Sequence, residues 1–98
     1  MNARDIAAPD LRTPVIVSEF WANRRGESAR VQLIQIDGVN CIDVRRYVTD
    51  GTGHLRPTPR GIALAIHKLP KLAAAIVKAE RKARELGLIK DNRHEAAP

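Results

Sequence analysis

Arginine is the residue type in this chain whose placement could do chemistry. Arg24 and Arg25 stand together in a polar stretch. Arg30 and the pair Arg45-Arg46 fall inside alternating apolar segments, and Arg56 and Arg60 bracket Pro57-Thr58-Pro59. A guanidinium binds phosphate through paired hydrogen bonds and stacks on flat rings. Arginines spread over strands and their loops therefore form a track suited to a phosphodiester backbone. Aromatic residues make up 3% of the chain: Phe20, Trp21 and Tyr47. Phe20 and Trp21 are adjacent and so face opposite sides of a strand, which predicts that one is core and the other more exposed. Trp21, close to Arg24 and Arg25, is the candidate for stacking on a base, with a core role as the alternative. Tyr47 reads as structural. The expected binding residues are Trp21, Arg24, Arg25, Arg30, Arg45, Arg46, Arg56 and Arg60.

Nothing else assembles a reactive centre. His54, His67 and His94 are scattered and lack the spacing of metal ligands. Ser18 and Ser28 have no nearby base, and there is no phosphate loop of the GxxxxGK type. The expectation is a protein that is not an enzyme and carries neither metal nor cofactor. Asp37 and Asp50 fit turn chemistry. Asp43, in mid-strand, is expected to pair with an arginine on its own face, either Arg45 or one from a neighbouring strand. Cys41 is the sole cysteine, which excludes an internal disulfide, and its apolar surroundings predict a buried thiol.

The charge balance agrees with a polyanion partner. Lys plus Arg number 17 against 11 Asp plus Glu, a net charge of +6 at pH 7. Residues 1–13 are neutral overall and residues 91–98 carry −1, so the segment 14–90 holds +7. A basic body without basic tails points to nucleic acid or another polyanion. At 98 residues one domain is expected, and 44% hydrophobic content supports a modest folded core. No apolar run approaches the length of a membrane span. The opening residues lack the apolar core of a secretory signal, so a cytoplasmic protein is expected.

The elements that must position the arginines follow from periodicity. Val15–Trp21 is rich in β-branched and aromatic residues and reads as a strand. Residues 23–28 read as a turn, and residues 30–36 as a second strand with Val31 and Leu33 on one face and Arg30, Gln32, Ile34 and Ile36 on the other. Asp37-Gly38 is a hairpin turn. The third strand, about 40–48, places Ile42, Val44 and Val48 on one face and Cys41, Asp43, Arg45 and Tyr47 on the other. After a turn at 50–53, a fourth strand over 54–64 carries Pro57 and Pro59. It must therefore be an edge or be bent, with Ile62, Leu64 and Ile66 restoring the alternation. From Leu69 the period becomes helical, through Leu72, Ile76, Ala79, Ala83 and Leu86. Pro70 suits the first turn and Gly87 the stop. The prediction is α+β: four antiparallel strands followed by one helix, at 14–90, between an N-terminal arm (1–13) and a C-terminal tail (91–98), both flexible. One sheet and one helix cover each other on one side only. Together with Ile34 and Ile36 on the second face, this favours a twofold dimer.

Gly38…Ile42-Asp43-Val44-Arg45…Tyr47…Asp50…Gly53…Pro57…Arg60-Gly61-Ile62…Leu64, followed by the helix, resembles the positive cofactor four (transcriptional coactivator) family over about residues 15–88. Residues 21–27 and the helix end look like its short bacterial members. The resemblance implies a curved four-stranded sheet followed by a helix, dimerisation through helix and sheet, and single-stranded DNA held with little sequence preference. It implies that Arg45 and Arg60 match basic DNA-contacting positions and that Arg24 and Arg25 lie in a loop approaching DNA. Eukaryotic members carry aromatics where this chain has Ile36 and Val48, and basic residues where it has Asp37 and Val39. Stacking at the first two positions is thus absent.

The reading is a homodimeric single-stranded DNA-binding protein, with RNA as an alternative ligand, acting in transcription regulation, replication or repair. The rivals are a module that uses the same scaffold for an acidic protein, and a duplex binder using Lys71, Lys78 and Lys82 of the helix.

Overall fold

A computed structural model of the chain describes residues 10–90. Strands β1 (Val15–Trp21), β2 (Glu27–Ile36), β3 (Val39–Thr49) and β4 (Leu55–Ala65) form one antiparallel sheet in sequence order. A 3₁₀ turn at Ile66–Lys68 leads into helix α1 (Leu69–Glu85). This is the α+β order expected. The second strand begins earlier than its composition implied, because Glu27, Ser28 and Ala29 pair with Val48, Tyr47 and Arg46. Ladder pairing outweighs a polar local sequence there. Ile66, expected to continue the strand alternation, lies in the 3₁₀ turn instead.

Register places two sets of side chains. Arg30 lies opposite Arg45, Gln32 opposite Asp43 and Ser28 opposite Tyr47, so these share a face with Trp21 and Glu19 of β1. Ala29, Val31, Leu33, Ile42, Val44, Arg46, Val48 and Ile62 share the other. The buried apolar residues are Leu11, Cys41, Ile42 and Tyr47, while Ser28, Gln32 and Asp43 are buried polar ones. The Gln32 amide, only 2% exposed, donates from Nε2 to Asp43 Oδ2 (2.9 Å) and to the Tyr47 hydroxyl (3.1 Å). Of the arm expected over 1–13, residues 1–9 lie outside the described residues. Leu11 is buried, and its carbonyl accepts the Gln35 N–H at 3.0 Å, tying this segment to β2. The tail expected over 91–98 also lies outside the described residues.

Both hairpin turns follow from their residues. Asp37 (φ 52) and Gly38 (φ 79) make the tight β2–β3 turn, whose two left-handed positions favour this pair. At the β3–β4 turn the Asp50 carboxylate accepts the N–H groups of Thr52 (2.8 Å) and His54 (3.0 Å), the Thr52 hydroxyl (2.6 Å) and Arg56 Nε (2.7 Å). The Thr52 hydroxyl and then the Arg56 guanidinium, with the two backbone N–H groups, hold this carboxyl far below the usual range.

β4 is an edge strand with a bulge, which accommodates both prolines. Gly61 pairs with Arg45 and Pro57 with Tyr47, so Thr58, Pro59 and Arg60 stand against Arg46 alone. The Thr58 hydroxyl donates to the Arg46 carbonyl (2.8 Å), and Arg45 Nη1 donates to the Thr58 carbonyl (2.9 Å). At Gly61 the two backbones come so close that a Cβ would lie 2.5 Å from the Val44 carbonyl oxygen and 2.8 Å from Arg45 Cα.

The helical unit begins at His67. Pro70 sits in its first turn. At its end the Leu88 N–H donates to the Ala83 carbonyl and the Gly87 N–H to that of Arg84, with Gly87 left-handed. This closing motif satisfies the last carbonyls. None of its residues is buried, and Ile76 and Val77 are exposed. Among the described residues, no helix is long and apolar enough to cross a membrane.

Two outcomes test this architecture. Gly61→Ala should destabilise the protein by about 1–3 kcal/mol, because backbone must move to admit the methyl group. Urea denaturation measures it, and a loss under about 0.5 kcal/mol, the range of an unremarkable surface change, would contradict the close approach. Asp50→Asn keeps an oxygen acceptor and removes the charge. A carboxyl whose pKa is depressed on folding contributes stability above its unfolded value and loses it as the pH falls. The gap in melting temperature between wild type and this variant should therefore be present at neutral pH and close as the pH drops below about 5. A gap independent of pH would contradict the assignment.

Candidate nucleic-acid interface

The sheet divides its arginines into two groups. Arg30 and Arg45 are direct cross-strand neighbours. Like charges so placed repel unless each is compensated, and here each is. Arg30 donates from Nε to Glu19 Oε2 (2.7 Å), and its guanidinium lies 4.0 Å from the centroid of the Tyr47 ring, a cation–π contact. Arg45 donates from Nε to Asp43 Oδ1 (3.0 Å), places Nη2 2.9 Å from the same oxygen, and reaches the Thr58 carbonyl. Asp43 thus pairs with the arginine two residues on, as its place in the strand suggested. Both guanidinium groups are half-buried and committed within the fold.

The second group surrounds Glu27. Its Oε1 accepts from Asn23 Nδ2 (2.5 Å) and Arg46 Nη1 (2.6 Å), with Arg25 Nη2 at 3.8 Å. The Asn23 amide, and then the charges of Arg46, Arg25 and Arg60, hold the Glu27 carboxyl below its ordinary value against the opposing effect of burial. Asn23 also fixes the loop, since its Oδ1 accepts the Arg25 N–H at 2.8 Å. Arg56 is paired to Asp50 in the next turn. Among the described residues, Arg24 and Arg60 have no carboxylate within ion-pair distance and both are exposed.

Trp21 is 68% exposed, so the alternative of a core role does not hold. It borders a recess of about 430 Å³ with Asn23, Arg24 and Gly26. An exposed indole and a guanidinium without a carboxylate partner thus border one hollow. Phe20 is exposed as well, at 58%. The expectation that one of the two aromatics is core is corrected, because every residue of the edge strand β1 is exposed, on both faces. Tyr47 is buried and structural, as read from the sequence.

The eight expected residues therefore do not form one continuous track. Trp21 and Arg24 meet at the first recess. Arg25, Arg46 and Arg60 gather near Glu27, while Arg30 and Arg45 are held on the opposite face and Arg56 by its turn. The sequence does not single out Glu19, which holds Arg30, or Glu27, which holds Arg46 and Arg25. Their partners lie across the ladder or across a loop, and only register reveals them. Among the described residues, no three His, Cys, Asp or Glu side chains gather as a metal site would.

The family model described as Transcriptional Coactivator p15 (PC4) matches residues 23–75, more than half of the chain. No match to a curated protein is found. Among solved structures, the chain is similar to a PC4 homolog from Burkholderia pseudomallei, with 23% identity and a TM-score of 0.61, over 76% of this chain and 97% of that one. It is also similar to the bacteriophage T5 homolog of the eukaryotic transcription coactivator PC4, implicated in recombination-dependent DNA replication. There the identity is 16% and the TM-score 0.55, over 88% of this chain and 96% of that one. The four-stranded antiparallel sheet and the helix that follows match one known fold, and the chain belongs to the PC4 family.

Proposed function

We propose that this chain is a homodimeric, non-enzymatic protein that binds single-stranded or melted DNA with little sequence preference, in transcription, replication or repair. PC4 is a nucleic-acid-binding family, which supports a DNA partner at a coarse level. The observation that carries the finer reading is Trp21, exposed beside the unpaired Arg24 at one recess. An aromatic platform next to a phosphate-binding cation suits an unpaired nucleotide. In a duplex the base faces are stacked inside and out of reach. An acidic protein would satisfy the arginines but offers the indole no flat base. The helix has an apolar stripe with no buried residue, and a second copy is the simplest cover for it.

The arginines near Glu27 bind phosphate in competition with that carboxylate. Removing its charge should strengthen binding, and removing the free guanidinium groups should weaken it. In fluorescence-anisotropy titrations of a labelled single-stranded oligonucleotide, Trp21→Ala should cost about 1–3 kcal/mol of binding. Arg24→Ala with Arg60→Ala should weaken binding and lower the salt slope by about 0.7 for each phosphate no longer neutralised. Glu27→Gln should bind more tightly than wild type. Unchanged affinity in all three variants would remove the site assignment. Arg45→Ala should act differently, lowering folding stability because it strips Asp43 of its partner.

A further inference from the structure

We propose that the hollow behind Trp21 is a pocket for one unpaired base bearing an exocyclic amino group, cytosine being the smallest such base. The inference rests on the single-strand reading above and departs from it in one respect, adding a base preference at this one pocket to otherwise sequence-tolerant binding. Register sets Trp21 across the ladder from Ser28, with Glu19 on the same face. Together with Phe20 and Leu55 they line a recess of about 250 Å³, separate from the one that holds Arg24. The same indole borders both recesses. A nucleotide could thus place its base on one side of Trp21 and its phosphate toward Arg24 on the other.

Two polar groups in the second recess want partners. Ser28 is 3% exposed, and among the described residues its hydroxyl is the one buried side-chain polar atom without a hydrogen bond. A buried hydroxyl left unpaired lowers stability, and such groups are rare enough in native proteins to need a reason. The hydroxyl can both donate and accept. Glu19 gives Oε2 to Arg30, while its Oε1 accepts no hydrogen bond among the described residues. A carboxylate only accepts, so it repels phosphate and selects a donor. The N4 amino group of cytosine is such a donor, whereas the corresponding oxygen of thymine is an acceptor and is repelled. The Ser28 hydroxyl is covered, so a base bonds to it by displacing the side chains that cover it, and stacks on the neighbouring Trp21.

The test compares labelled oligo-dC and oligo-dT of equal length, titrated into wild type, Glu19→Gln and Ser28→Ala at one salt concentration, with circular dichroism confirming the fold of each variant. Wild type should prefer oligo-dC by about tenfold. Glu19→Gln should abolish the preference, since an amide can face either base. Ser28→Ala should reduce it while leaving the melting temperature unchanged or higher, because an unpaired hydroxyl is removed. Equal affinity of wild type for the two oligonucleotides, or a preference that survives both substitutions, would overturn the pocket and leave single-strand binding intact. Failure of wild type to bind either oligonucleotide would overturn the single-strand reading and the pocket with it.

Discussion

The Gln32 side chain sits at the middle of the sheet and joins its two central strands by donating to both Asp43 and Tyr47. Only Leu11, Cys41, Ile42 and Tyr47 are buried apolar residues among those described, so apolar burial alone does little to select one pairing of β2 with β3. A slip of one residue would put Gln32 and Asp43 on opposite faces and strand a buried amide and a buried carboxylate. The network therefore fixes register. It also fixes the two arginines that close it, since Arg45 completes Asp43 and Arg30 covers the Tyr47 ring.

That constraint sorts the basic residues by what they are free to do. Arginines on the network face hold the fold together. Those on the loops and the opposite face are held by Glu27 or Asp50, or by no carboxylate at all among the described residues. The basic residues thus range from committed guanidinium groups to the free Arg24 beside Trp21. On the proposed function, a DNA strand competes with the Glu27 carboxylate for the guanidinium groups around it. Such competition between ion partners would make the affinity depend on salt.

Local chemistry made much of the architecture legible. Asp37-Gly38 announced its turn through the left-handed backbone that both residues tolerate. Pro57 and Pro59 announced an edge strand because neither can donate to a ladder, and the run from Leu69 announced the helix by its period. Alternation also gave the two faces of β2 and β3 correctly. Non-local information was not legible. Glu27 looked like a turn residue until pairing with Val48 made it part of a strand, where it collects Arg25 and Arg46. Phe20 and Trp21 differ in facing, but both are exposed because β1 lies at the edge of the sheet, a fact of topology. The arginines were recognisable as a group by composition, while their division into structural and available ones depends on cross-strand partners several residues away in sequence.

On the proposed function, the exposed indole and the free guanidinium groups take an unpaired strand. The most direct measurement is a competition experiment on the wild-type chain: a labelled single-stranded oligonucleotide, bound at low and then moderate salt, is challenged with its unlabelled single strand and with the matching duplex. Displacement by the single strand, little displacement by the duplex, and a clear loss of affinity with salt is the predicted result. Equal displacement by both, or no binding of the labelled strand even at low salt, would contradict it.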